Sequence, residues 1–167
     1  PAIKPASLRT TTNIIGILAT KGTLNSALFE KTSATIDSHI ELVVKVGEGL
    51  VELIENGQID SPKMDELLHT YLAFFQKRNI DCLVLGCTHY PFLIPKIREI
   101  VGPNMLIIDS GEAVAKQTHA VLTQYNILNK TQHTLVKPQL FYINKAKQNL
   151  EQLLKSNENI TIIETDF

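Results

Sequence analysis

Asp81-Cys82-Leu83-Val84-Leu85-Gly86-Cys87-Thr88-His89-Tyr90-Pro91-Phe92 reads as a strand, a reactive turn and the start of a helix. Cys82 to Leu85 form a short unbroken apolar run, the pattern of a strand buried on both faces of a parallel sheet, and Gly86 ends it. Pro91 suits the first turn of a helix, where its missing N–H would be unpaired anyway. Cys87, Thr88 and His89 therefore fall in the strand-to-helix turn. In open α/β sheets that is where ligands bind.

Outward from this stretch the same unit recurs. Residues 13–19 are a buried-strand run, followed by the polar turn Thr20-Lys21-Gly22-Thr23 and a helical segment to about residue 34. Residues 40–46 are the next strand, and Leu50–Glu55 reads as a short helix ending near Asn56-Gly57. Ser61-Pro62 opens a long amphipathic helix with Leu67, Leu68, Tyr71, Leu72 and Phe75 on one broad face. After the central strand come a helix over 91–101, a strand over 104–108 ending at Asp109-Ser110-Gly111, and a helix over 111–125. Strands over 139–143 and 160–163 flank a helix of about 145–155. The first twelve residues, with two prolines and several hydroxyls, read as an irregular lead-in. Strands alternating with helices make α/β the fold class, a parallel sheet flanked by helices.

The composition excludes several functions. The 167 residues suit one domain by size, and a formal net charge of -1 offers no basic field for nucleic acid or an anionic membrane. No apolar run approaches the roughly 20 residues of a membrane span. The start at Pro1, without a charged-then-apolar leader, reads as a cytoplasmic protein and as a fragment of a longer one. If Cys82 lies on the strand that delivers Cys87, the two are about 16 Å apart, far beyond disulfide reach. Cys82 is then a core thiol.

Cys87, Thr88 and His89 put a thiol, a hydroxyl and an imidazole in consecutive positions. A cysteine is a good base or nucleophile only as thiolate, and a helix N-terminus or an imidazolium favours that form. The competing reading is a small buried thiol beside a helix-cap histidine. Thr20 and Thr23 could hold a carboxylate with backbone N–H groups at a helix N-terminus, or simply cap that helix. Zinc on Cys87, His89 and an acidic residue is the rival chemistry. Cys82 is too remote to join it and there is no Cys-x-x-Cys, so no metal is expected. On spacing alone Glu48, Glu52 and Glu55 read as a solvated face, and His69 as structural.

Leu83 to Pro91 resembles the second cysteine motif of bacterial glutamate racemase, in the cofactor-independent aspartate/glutamate racemase superfamily. Ala19-Thr20-Lys21-Gly22-Thr23 resembles that family's Ala-Thr-x-Gly-Thr turn, and Ile108-Asp109-Ser110-Gly111 its Ile-Asp-Ser-Gly loop. The resemblance implies a three-layer, flavodoxin- or Rossmann-like fold. It assigns residues 1–109 to the family's second α/β domain and 110–167 to a segment that packs on the first, upstream of Pro1. The family usually carries Ala-Cys-Pro-x-Phe-Val-Pro-x-Val-Glu before the long amphipathic helix, its final Glu near the active-site imidazole. A gapless match places that Glu at Glu55, with little else of the motif kept.

The implied activity is interconversion of L- and D-glutamate, supplying D-glutamate for peptidoglycan and so for the bacterial cell wall and cell shape. The implied catalytic residues are Cys87, His89 and Glu55, and the implied substrate-binding residues are Thr88, His89, Thr20 and Thr23. No cofactor is implied, and a homodimer is left open. Racemisation without a cofactor needs two acid/base groups flanking one carbon, each within roughly 3.5 Å of it. In glutamate racemases the second is a cysteine in an upstream Cys-Asn-Thr turn, which this chain lacks, so alone it is expected to be inactive. The alternatives are an aspartate or hydantoin racemase, or a non-catalytic α/β binding module.

Overall fold

The computed structural model describes residues 2–129, 138–154 and 159–167. Its centre is a four-stranded parallel sheet of β1 (Ile14–Ala19), β2 (Glu41–Val46), β3 (Cys82–Gly86) and β4 (Leu106–Ile108), in the order β2-β1-β3-β4. β1 lies between β2 and β3 in register, with Ile14 opposite Glu41, Ala19 opposite Val46 and Ala19 opposite Gly86. β1 and β3 are therefore the interior strands. This is why both read as continuous apolar runs.

Alternation along β1 and β3 feeds two cores. Ile15, Ile17, Ala19, Cys82 and Val84 face one side, where they pack with Ala2, Ile3 and Ala6. Leu18, Leu83 and Leu85 face the other, against α4 (Leu50–Glu55), α5 (Pro62–Gln76) and α6 (Ile94–Val101). Helices on both faces of a parallel sheet are the predicted arrangement. Ser61 caps α5 by accepting from the Met64 N–H, and Leu68, Tyr71, Leu72 and Phe75 form its buried face, with Leu67 partly buried beside them.

Three local readings need correction. The lead-in is not irregular throughout, because Ile3–Ser7 form a short helix, α1, that buries Ile3 and Ala6. The turn after β1 winds into the helix α2 (Lys21–Leu24), and a second N-cap at Ser26 starts α3 (Ala27–Ser33). After β3 the chain enters a 3-10 turn, Tyr90–Leu93, before α6 begins, so Pro91 is the second residue of a 3-10 turn and not the start of the helix.

The C-terminal part begins with α7 (Gly111–Gln124). A separate two-stranded parallel sheet follows, pairing β5 (Gln139–Ile143) with β6 (Ile160–Glu164), and α8 (Lys147–Leu153) connects the two strands. The predicted helix end at Lys155 lies outside the described residues. This part touches the main body through Leu153, which packs against the larger core, and through Asn149, whose Nδ2 donates to the carbonyl of Glu55.

Asp81 ties the N-terminal segment to the start of β3. It accepts from Thr10 Oγ1 at 2.6 Å, from Thr11 N at 2.5 Å and Oγ1 at 2.7 Å, and from Thr12 Oγ1 at 3.1 Å and N at 3.2 Å. Partial burial alone would raise its pKa, but these hydrogen bonds together hold the carboxyl far below the usual carboxylate range.

Candidate active site

Every strand of the main sheet runs the same way, so the turns after β1, β2, β3 and β4 emerge at one edge. Gly86 is needed at that edge because β1 and β3 approach closely there: a Cβ on Gly86 would lie 2.7 Å from the Ala19 Cβ. Cys87 follows directly, half-buried. A cavity of about 360 Å³ opens beside it. Thr20, Thr23, Cys87, Thr88 and Ser110 all line this cavity, so the turns after β1, β3 and β4 meet around one space.

The threonines of the first turn serve their own helix as well. Thr20 Oγ1 accepts from the Thr23 N–H at 3.2 Å and lies 3.0 Å from Thr23 Oγ1, so it caps α2 while its turn borders the cavity. The helix-cap and carboxylate-site readings of Thr20 are therefore not exclusive.

His89 sits between Cys87 and Glu55. Its Nδ1 is 3.9 Å from Cys87 Sγ and 3.5 Å from Thr88 Oγ1, while its Nε2 is 3.0 Å from Glu55 Oε1. A carboxylate facing Nε2 favours the tautomer protonated there, which leaves the Nδ1 lone pair toward the thiol. The imidazole is about one-third exposed and the Glu55 side chain more than half exposed, so the pair is solvent-screened and contributes little to stability. His89 and Glu55 do not line the cavity, and neither does Asp109, whose Oδ1 accepts from Gly111 N at 2.5 Å.

Cys82 is turned away from this chemistry. It is buried, its Sγ lies 3.9 Å from the Ala6 carbonyl, and burial together with the charge of Asp81 pushes its pKa up to about 11. Among the described residues no three His, Cys, Asp or Glu side chains converge to hold a metal ion, and no helix is long and apolar enough to cross a membrane.

The sequence reading missed part of the cavity wall. Ser26 lines it, as do Ile3, Leu28 and Phe29, which come from α1 and α3. The signal available was the Thr20, Thr23, Ser26 spacing, a cap followed by a second cap that folds the chain back over the sheet edge.

The parallel α/β sheet thus presents a thiol, an imidazole and a carboxylate at one strand-end edge, groups whose chemistry is proton exchange. The comparisons narrow this further: the profile of the family described as Asp/Glu/Hydantoin racemase matches residues 1–118, and the chain belongs to that family. It is 41% identical over 128 residues to a glutamate racemase of Pseudomonas syringae pv. tomato, covering 77% of this chain and 46% of the relative. It is 40% identical over 129 residues to one of Herpetosiphon aurantiacus, covering 77% and 51%. Among solved structures, glutamate racemase isoform RacE1 of Bacillus anthracis superposes with a TM-score of 0.79 at 25% identity, over 98% of this chain and 61% of that one. The Escherichia coli glutamate racemase in complex with L-glutamate and the activator UDP-MurNAc-ala gives 0.76 at 25% identity, over 98% and 62%. The chain spans about half the length of the curated relatives it matches.

Proposed function

We propose that this chain carries one of the two acid–base halves of a glutamate racemase, a cofactor-independent isomerase. The observation that carries the reading is the position of His89, between the Cys87 thiol and the Glu55 carboxylate. The chain's relatives include glutamate racemases, and its solved neighbours include glutamate racemases in complex with D-glutamate and with L-glutamate.

In this reading Cys87 acts on one face of the substrate α-carbon. As thiolate it removes the α-proton, and the electron pair left behind delocalises into the adjacent carboxylate. In the other direction the thiol delivers its proton to the same planar intermediate. Nδ1 of His89 accepts the thiol proton when Cys87 is to act as base, and Glu55 holds the ring and offsets the charge it then carries. Thr88, with Thr20 and Thr23, binds the substrate carboxylates through hydroxyl and backbone N–H groups. The apposed base comes from the part of the relatives that this chain does not span. Residues 1–109 form the domain that bears Cys87, and 110–167 pack on that other part. The complete enzyme works in the bacterial cytoplasm, as a monomer or a homodimer, and supplies D-glutamate for peptidoglycan.

Circular dichroism of enantiopure D-glutamate tests this. Loss of optical activity is expected with a chain extended to the relatives' length, and none with this chain alone or with Cys87→Ala in the extended one. Racemisation by the short chain would place the second base within it, at Asp109 or His119. No activity on glutamate by the folded extended chain would sink the substrate assignment and bring forward aspartate, a hydantoin or a binding role.

A further inference from the structure

Glu55 and His89 reach each other from different elements, Glu55 from the end of α4 and His89 from the turn after β3. Glu55 is the last residue of α4, whose N-cap is Gly49 in the left-handed region at φ 80°, with no side-chain cap hydrogen bond. Buried Leu50 and Ile54 seat α4 in the larger core, and the turn that leads into it, Gly47-Glu48, has anchors of its own. Tyr90, the residue after His89, is fully buried and its Oη donates to the Gly47 carbonyl at 3.0 Å. Tyr71, on α5, donates from Oη to the Glu48 carbonyl at 2.9 Å. Gly47 in turn donates its N–H to the carbonyl of Ala19 at 3.0 Å, immediately before Thr20.

One glycine thus links three strand-end turns: the turn of Thr20, the turn that opens α4, and the turn of Cys87 and His89. The fit allows no side chain at position 47. A Cβ there would lie 2.5 Å from the Tyr90 Oη and 2.8 Å from Leu50 Cδ1. Burial raises the pKa of both tyrosines, most strongly that of Tyr90, so both hydroxyls stay protonated and remain donors at any pH at which the enzyme would work.

We infer that Tyr90 and Tyr71 are positioning residues: by clasping the Gly47-Glu48 turn they hold Glu55 against His89 and set the ring that faces Cys87. The inference rests on the reading of Cys87, His89 and Glu55 as the acid–base group. The alternative is that the two tyrosines only stabilise the fold, as any satisfied buried hydroxyl does.

A double-mutant cycle read by NMR separates the two. The full chain is prepared with 15N-labelled histidine as wild type, Tyr90→Phe, Glu55→Gln and the double variant, and the His89 ring 15N resonances are recorded for each. Glu55→Gln is expected to shift those resonances in the wild type and to shift them less than half as far in the Tyr90→Phe background, because the contact is already loosened there. An equal shift in both backgrounds overturns the inference, whatever Tyr90→Phe does to the melting temperature. Should Tyr90→Phe not fold, the same cycle with Tyr71→Phe decides by the same criterion. The readout needs no substrate. A failed racemase assay would therefore count against the proposed activity and leave this cycle standing.

Discussion

Glu55 closes α4 and His89 follows β3, yet Oε1 of Glu55 and Nε2 of His89 meet at 3.0 Å. The ring thereby has one nitrogen against a carboxylate and the other on the side of Cys87 and Thr88. Glu55→Gln keeps the shape and an acceptor oxygen but removes the charge that offsets an imidazolium. In a chain extended to the relatives' length, kcat for glutamate is expected to fall about 10- to 100-fold, with KM within about threefold. The melting temperature should barely move, because an exposed pair of this kind is worth at most about 1 kcal/mol. A large loss of stability with unchanged kcat would make Glu55 a structural residue.

Cys87→Ser tests the thiol itself. The hydroxyl is almost the same size, so the turn after β3 should be kept and far-ultraviolet circular dichroism should be unchanged. A serine hydroxyl is a far weaker acid than a thiol, and the proton-transfer step should slow by about 10³-fold or more. The measurement is the rate of loss of optical activity from D-glutamate and, separately, from L-glutamate. Retained activity in both directions would remove Cys87 from the mechanism.

Asp81 predicts an acid-sensitive fold. Its carboxyl is depressed in the folded chain by the hydrogen bonds from Thr10, Thr11 and Thr12, against an unfolded value of about 3.9. A depressed carboxylate contributes stability that is fully present above about pH 4 and is lost as the pH falls below it. Asp81→Asn should cost about 2 kcal/mol at neutral pH, as charged hydrogen bonds are lost from a part-buried site. It should also flatten the decline of stability between about pH 4 and pH 2. Urea titrations of both proteins across that range check the sign and the size.

How far the sequence could foresee this molecule depends on the distance over which each feature is determined. β1 and β3 are buried on both faces, so their apolar runs declare them, and Ser61-Pro62 announces α5 through local capping. α1 was hidden because five residues are too few for a helical period, and its burial comes from covering β1 and β3. Cys87, Thr88 and His89 were legible as one polar strand-end turn, a candidate for chemistry, because they are adjacent in the chain. Glu55 was not: beside Glu48 and Glu52 it resembles any solvated helix face, and only the resemblance singled it out. Its approach to His89 is a tertiary fact. The partners of Asp81 are equally remote, since the run Thr10-Thr11-Thr12 lies about seventy residues away.

Gly86 should tolerate no side chain. Its Cβ would meet the Ala19 Cβ at 2.7 Å, and neither strand has a flexible group that could yield. Gly86→Ala must spread β1 from β3 at the edge where Thr20 and Cys87 emerge. We expect a loss of about 1–3 kcal/mol, typical of overpacking, together with a fall in activity larger than the stability loss accounts for. A variant as stable and as active as the wild type would show that the edge can relax.

The two cysteines should differ sharply toward an alkylating reagent. Cys87 borders an open cavity, whereas Cys82 is 1% exposed and has a pKa near 11 because of burial and the nearby charge of Asp81. Alkylation requires thiolate and access, and Cys82 lacks both at pH 8. Iodoacetamide followed by peptide mass spectrometry should therefore modify Cys87 in the folded chain and reach Cys82 only after denaturant unfolds the sheet. Added D-glutamate should slow the Cys87 reaction if the cavity between the turns of Thr20 and Thr88 binds substrate carboxylates. Cys87 sulfur lies beside those turns, so an occupant there obstructs the reagent's approach. Rapid labelling of Cys82 in the native state would mean that α1 opens readily from the sheet, since Ala6 of that helix lies directly against its sulfur. Slow labelling of Cys87, with no effect of glutamate, would mean that the turn after β3 is closed and that the cavity is not a glutamate site.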